Sequence, residues 1–216
     1  VPGVCWSKVS PTPTPNPLIR LWSFEMAECL GLKEKESDIL GGKKIVTGMN
    51  PYAQRYGGHQ FGKWAGQLGD GRAITLGEVN TGQEILELQL KGSGITPYSR
   101  FSDGKAVLRS SIREFLCSES MHHLGVPTTR ALSLVTTGEN VIRDILYNGN
   151  PAAEKGAIVC RVAPSFIRFG SFQIHSFSGD IQTLRSLVDY TVKYHFNTHN
   201  TKTDDDIIEW LRRVAD

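Results

Sequence analysis

Apolar residues recur with two different periods along the chain, and the period changes where the elements change. Ala73 to Val79 alternates apolar and polar positions, Asn80-Thr81-Gly82 has hairpin-turn chemistry, and Glu84 to Lys91 alternates again. Leu86, Leu88 and Leu90 then share one strand face, with Ile85, Glu87, Gln89 and Lys91 on the other. From Ser102 the period lengthens: Leu108, Ile112, Phe115 and Leu116 form a helical stripe, with Ser102 or Asp103 as N-cap and a stop at Gly125 before Pro127. Residues 130 to 143 read as a strand pair around Thr137-Gly138-Glu139-Asn140, 144 to 156 as a polar loop, and Ala157 to Ala163 as a buried strand. Ile181, Leu184, Leu187, Val188 and Val192 predict a second helix from about Asp180 to His195. Nearer the start, residues 11 to 17 alternate proline with turn formers and predict an extended strap, and residues 18 to 40 read as an amphipathic helix and turn. A hairpin, a helix, strands and then helices predict an α+β fold rather than a doubly wound parallel sheet.

Composition narrows the class of protein. The 216 residues are 39% apolar, with 24 Lys+Arg against 22 Asp+Glu, which suits a folded domain and excludes extensive disorder. A net charge of +2 supplies no strong basic field, so neither nucleic acid nor an acidic membrane surface is an expected partner. The apolar runs fall far short of the roughly 20 residues a spanning helix needs. Cysteines at 5, 29, 117 and 160 form no Cys-x-x-Cys pair, which argues against a zinc site and for a reducing compartment. The chain opens at Val1 without Met and closes in an acidic helix start at 204 to 206 followed by apolar residues, so it is expected to be a fragment, and no targeting segment is readable.

Six glycines between 57 and 71 follow no fixed repeat, and neither a Walker A motif nor a Gly-x-Gly-x-x-Gly fingerprint is present. Gly69-Asp70-Gly71-Arg72, just before the first hairpin strand, could let backbone N–H groups and Arg72 approach a phosphate, or could be a tight exposed turn. Lys91 ends the second strand on the face opposite the leucines. In kinase-like folds a strand lysine reaches the nucleotide phosphates and is held by a glutamate on the next helix. Glu114, off the apolar stripe and flanked at i−4 and i+4 by Ser110 and Ser118, is that candidate; the alternative is two surface charges that never meet. Asp103-Gly104 could offer a helix N-terminus to an anion, or Asp103 could simply cap the helix. Arg161 and Arg168 lie in apolar company and need a partner, either an internal carboxylate or a ligand phosphate. The histidines at 59, 122, 123, 175, 195 and 199 show no convincing metal spacing and read as structural or surface residues. No Gly-x-Ser-x-Gly elbow occurs and Cys117 lies mid-helix, so nucleophilic hydrolysis has no support.

These strings, taken together, resemble a known family. Asn50-Pro51-Tyr52-Ala53, Arg55 to Gly62 (RYGGHQFG), Trp64 to Arg72 (WAGQLGDGR) and Gln89 to Gly94 (QLKGSG) are similar to the selenoprotein O family. So are Thr96 to Gly104 (TPYSRFSDG), Leu108 to Leu116 (LRSSIREFL), Gly125 to Ala131 (GVPTTRA) and Cys160 to Gly170 (CRVAPSFIRFG). The likeness is weakest before residue 48 and in 144 to 155. It implies an incomplete protein-kinase-like fold, with a strap and helix over 1–48 and the nucleotide-binding part of the domain over 49–216. It also implies a protein adenylyltransferase that binds ATP in a flipped orientation and transfers AMP to Ser, Thr or Tyr hydroxyls of proteins. The positions matching the family's ATP-contacting residues are Gly69, Gly71, Arg72, Lys91, Asp103, Gly104, Arg161 and Arg168, and Glu114 matches the glutamate that pairs with the lysine.

By the same resemblance, the catalytic Asp and the Mg²⁺ ligands are expected after residue 216, leaving no catalytic or metal residue within this chain. None of the four cysteines takes the place of the selenocysteine or cysteine that some members carry near the C-terminus. Two other functions stay open on the residues: a non-catalytic ATP-binding regulatory module, and an ordinary kinase transferring the γ-phosphoryl group. Family members occur in bacterial cytoplasm and in mitochondria, and both fit the sparse cysteines.

Overall fold

The hairpin predicted from the alternation at 73–91 lies in the middle of the large sheet of the structure, a computed structural model that describes residues 2–196 and 203–215. In chain order the elements are β1 (Trp6–Lys8), β2 (Leu18–Trp22), α1 (Phe24–Cys29), α2 (Ser37–Leu40), β3 (Tyr52–Gln54), β4 (Gly57–Gln60), β5 (Lys63–Gln67), β6 (Ala73–Asn80) and β7 (Ile85–Lys91). They continue with β8 (Ala106–Val107), α3 (Leu108–His123), β9 (Arg130–Arg143), β10 (Ala152–Ala163), α4 (Phe169–Ser178), α5 (Ile181–His195) and α6 (Asp204–Ala215). The fold is mixed α+β. Eight strands form a sheet in the order β1-β3-β6-β7-β10-β9-β2, with β8 also on β10, while β4 and β5 form a separate hairpin.

Contacts group the chain into two units. One comprises 7–54 and 69–166 and holds the body of the large sheet; the other comprises 1–6, 55–68 and 167–216. In the first, the leucine face of β7 packs with Leu76, Leu132, Val135, Ile158, Cys160 and Val162 against Met26, Ala27 and Leu30 of α1 and Leu40 of α2. The opposite face carries a smaller cluster, in which Phe115 of α3 meets Ala131, Leu134, Ala157 and Val159. The proline strap lies on this unit: Thr12 N–H donates to Ser93 O at 2.8 Å, Thr14 Oγ1 to Gly41 O at 2.9 Å, and Asn16 N–H to Thr137 O at 3.0 Å. In the second unit, Val188, Val192 and Trp210 centre the helical core, with Phe172, Leu184 and Ile207 packed on them.

In β2, α3 and β9 the structure departs from the sequence expectation because tertiary pairing outweighs local pattern. Residues 18–22 are a strand, not a helix, since β2 pairs with β9; Ser23 then caps α1 by accepting from Met26 N–H at 3.3 Å. The helix expected from Ser102 starts at Leu108, because Gly104 sits at φ +68° and Ala106–Val107 pair with β10. Its end is as expected, with Gly125 at φ +79° and Val126 N–H returning to Met121 O at 2.9 Å. Residues 130–143 are one strand, not two. Thr137-Gly138 sits at an irregularity where the register with β10 shifts between Lys155 and Ala157, and the strap crosses there, a Cβ on Gly138 meeting Asn16 at 2.7 Å. The strand β10 also begins earlier than Ala157, and α4 is additional to the expected elements.

Candidate functional site

Antiparallel register sets the site. On β7 and β10, Lys91 lies opposite Val159 and Gln89 opposite Arg161, so Lys91, Gln89 and Arg161 point to one face, away from the leucine core. Helix α3 crosses that face and lowers Glu114 onto it. Its carboxylate is 2.8 Å from Lys91 Nζ and, through the other oxygen, 3.6 Å from Arg161 Nη1. Arg161 also donates from Nη2 to Gln89 Oε1 and stacks its guanidinium 5.0 Å from the Phe166 ring. Burial holds the Lys91 ammonium below its ordinary pKa; Glu114 opposes the shift, while Arg161 and Arg72 add to it. Lys91, Glu114, Arg72 and Arg113 line an open cleft of about 500 Å³ together with Ser110, Cys117, Ser118, Met121 and Thr128. Among these described lining residues one carboxylate faces three cations, an arrangement chemically suited to a polyanion.

The Gly69–Arg72 turn is bound into the same framework through Asp70, which is buried. Asp70 Oδ2 accepts from Gln54 N–H at 3.0 Å and from Gln89 Nε2 at 3.4 Å, and Gln89 Nε2 also reaches Thr75 Oγ1 at 3.2 Å. Thr96 Oγ1 donates to Asp70 O at 2.6 Å and Ser99 Oγ to Gly71 O at 2.5 Å, closing a second loop over the turn. Gly69 is at φ +89°, where a Cβ would stand 2.6 Å from Tyr98, and a Cβ on Gly71 would meet Tyr98 O at 3.0 Å. Close packing on Tyr98 therefore accounts for both glycines without a ligand.

The remaining candidates sit elsewhere. Asp103 caps no helix: Arg143 grips it through both guanidinium nitrogens at 2.7 and 2.8 Å, and Lys105 N–H donates to it at 3.0 Å. That grip holds its carboxyl below the usual range. Gly104 O accepts from Gly94 N–H at 3.1 Å, which binds this loop to the one following Lys91. Arg168 belongs to the second unit, where its guanidinium lies 4.8 Å from the Tyr56 ring and its N–H meets Ser171 Oγ at 3.3 Å at the start of α4. Sequence reasoning missed Gln89, Asp70 and Arg113. For Gln89 a signal existed, a polar residue two before Lys91 on the same strand face. Among the described residues no group of three or more His, Cys, Asp or Glu could hold a metal ion. His122 and His123 lie by Glu25 at 3.6 and 4.0 Å, His59 packs edge-on to Trp64, and His199 is outside the described residues. No described helix is long and apolar enough to cross a membrane.

A strand lysine and a helix glutamate, set in a cation-lined cleft against an antiparallel sheet, characterise this α+β chain. The chain belongs to the family described as protein adenylyltransferase SelO, whose sequence model matches residues 3–216. It is 59% identical to the protein nucleotidyltransferase YdiU of Methylobacillus flagellatus over 99% of this chain and 43% of that protein. It is 58% identical to the YdiU of an Azoarcus species over 100% of this chain and 43% of the relative, and 56% identical to that of Xanthomonas euvesicatoria over 99% and 43%. The chain thus spans 43% of the length of these curated relatives.

Proposed function

We propose that this chain is the nucleotide-cradling part of a kinase-like protein adenylyltransferase, which transfers AMP from ATP to Ser, Thr or Tyr hydroxyls of proteins. The observation that carries the reading is Glu114 serving Lys91 and Arg161 at once, while Arg72 and Arg113 line the same cleft. An ordinary phosphoryl-transfer site uses a lysine–glutamate pair with metal ions for the phosphates. Here additional guanidinium groups surround that pair, which favours a nucleotide turned so that its β- and γ-phosphates lie among the cations as the leaving group. Lys91, Arg72 and Arg161 bind those oxygens, and Glu114 positions the two cations it touches. Gly69, Gly71, Asp103 and Gly104 shape the loops beside them, and Arg168 joins the set on the family match alone. In this reading residues 49–216 are the nucleotide-binding part and 1–48 the strap and helix. Mg²⁺, when bound, would neutralise charge building on the phosphates; its ligands and the base that orients the acceptor hydroxyl are expected beyond residue 216.

Whole protein supplied with Mg²⁺ and ATP tests this. Label at the α-phosphorus is expected on protein, with pyrophosphate released in equal amount and AMP found on Ser, Thr or Tyr by mass spectrometry. Label arriving only from the γ position would replace the reading with a kinase, and bound ATP with no transfer from either position would replace it with a regulatory module.

A further inference from the structure

A second constellation lies in the other unit, away from any role in the nucleotide reading. Cys5 Sγ stands 3.8 Å from Nε2 of His175, and His175 Nδ1 stands 3.4 Å from Asp180 Oδ2. Each member is held by backbone as well. Cys5 O accepts from Arg55 N–H at 2.8 Å and Val4 O from Arg55 Nη1 at 3.3 Å, which fixes the segment carrying the thiol. His175 is in the last turn of α4. Gly179, at φ +71°, turns the chain so that Asp180 N–H returns to His175 O at 3.0 Å. The Asp180 carboxylate is then divided between two tasks: Oδ1 caps α5 by accepting from Thr183 N–H at 3.1 Å, and Oδ2 faces the imidazole. His175 is 1% exposed, and burial, with Arg55 nearby, holds its pKa below the ordinary value against the pull of Asp180. A neutral imidazole donating from Nδ1 to Asp180 presents the lone pair of Nε2 to the thiol. Nucleophile, base and a third group that orients the base are thus in line, the arrangement that activates cysteine in unrelated folds.

We propose that Cys5, His175 and Asp180 form a nucleophilic thiol site that undergoes exchange with small-molecule disulfides. The Cys5 S–H proton passes to His175 Nε2 as the sulfur attacks one sulfur of the disulfide. The new Cys5 S–S bond forms while the old S–S bond breaks, and the departing thiolate takes the proton back from the imidazolium. The products are a mixed disulfide on Cys5 and one free small thiol, with His175 restored. The adduct places a bulky group where the imidazole contact was, so it parts the 2–6 segment from the last turn of α4.

The other cysteines are internal controls. Cys29 and Cys117 are exposed, whereas Cys5 is half-buried and Cys160 is buried with its thiol pushed up to about 12. Exposure alone would therefore rank Cys29 and Cys117 above Cys5. The whole protein, reduced and then treated with oxidised glutathione at pH 7, is followed by mass spectrometry of each cysteine peptide. Cys5 is expected to react faster than Cys29 and Cys117. His175→Gln removes the group that accepts the thiol proton during attack, so it should slow Cys5 by roughly ten- to a hundredfold and leave the two exposed cysteines unchanged. Asp180→Asn should slow it a few-fold. If His175→Gln disrupts the fold, Cys160 becomes reactive, and the surface change Asp180→Asn then decides. Cys5 reacting no faster than Cys29 and Cys117, or keeping its rate in folded His175→Gln or Asp180→Asn protein, would overturn the proposal.

Discussion

Replacing Glu114 with Gln should destabilise the fold more than replacing Lys91 with Met, because one carboxylate serves two cations. Lys91 Nζ lies 2.8 Å and Arg161 Nη1 3.6 Å from Glu114, with side chains 26%, 11% and 23% exposed for Lys91, Arg161 and Glu114 respectively. At an effective dielectric near 20 the gross attractions are about 6 and 5 kcal/mol, and desolvation offsets most of each. Exposed pairs contribute ~0–1 kcal/mol and breaking fully buried ones costs ~3–5 kcal/mol, so partly buried groups fall between. Glu114→Gln removes both attractions and leaves two like charges facing each other, for an expected cost of about 2–3 kcal/mol. Lys91→Met leaves Glu114 with Arg161 and removes the desolvated ammonium, for about 1 kcal/mol. Urea unfolding of the whole protein and both variants, at fixed pH and salt, measures the difference. Saturating ATP should narrow the Glu114→Gln deficit, since phosphate oxygens supply the cations with partners. A Lys91→Met cost equal to or above that of Glu114→Gln would refute the two-cation account.

Two further outcomes follow from the same face of the sheet. Lys91→Ala and Arg161→Ala in the whole protein should each cut AMP transfer by roughly ten- to a thousandfold, as read from α-labelled ATP, the range for losing one preorganised charge at a transition state. Glu87 is buried beside Tyr52, whose hydroxyl donates to it at 3.1 Å, and burial pushes its carboxyl from 4.5 up to about 7. Between those two pH values the folded chain binds more protons than the unfolded one, so this group's contribution falls as pH rises, by ~3 kcal/mol at ~1.4 kcal/mol per pH unit. Glu87→Gln should therefore gain on wild type in unfolding free energy as pH rises from 4.5 to 7.5, and curves that run parallel would refute the assignment.

What could be read from sequence divides along a physical line. The β6–β7 hairpin was legible because its turn is local: Gly82 N–H meets Asn80 Oδ1 at 2.8 Å and Thr81 Oγ1 donates to Glu84 O at 3.1 Å, all within five residues. The helix α5 was legible because Asp180 caps it and its apolar spacing is regular. For Lys91 and Glu114, strand alternation and helical angle offered the face of each but left open whether they meet, and the 2.8 Å ion pair settles it. The strand at 18–22 was not legible, since its identity depends on β9, more than a hundred residues away in sequence. Asp103 reads in sequence as a helix cap but caps none, because its partner Arg143 comes from the far end of β9. Cys5 and His175 lie 170 positions apart, so nothing local could join them.

The polar face of the sheet shows why distance in sequence does not loosen the site. Thr75, Gln89 and Arg161 come from three neighbouring strands and meet through direct register pairs, Thr75 opposite Gln89 on one side and Arg161 opposite Gln89 on the other. Gln89, fully buried, donates from Nε2 to Thr75 and Asp70 and accepts from Arg161 through Oε1, so it uses both ends of its amide to join the turn before β6 to the cation beside Lys91. A one-residue slip of β10 against β7 would turn Arg161 toward the leucine core and bring Cys160 and Val162 onto the polar face. Both sides would then be penalised: a guanidinium buried without a partner, and apolar surface returned to the cleft. The hydrophobic alternation that fixes the core thus also fixes which cations share Glu114, and the arginine arrives at the lysine by register rather than by any motif of its own.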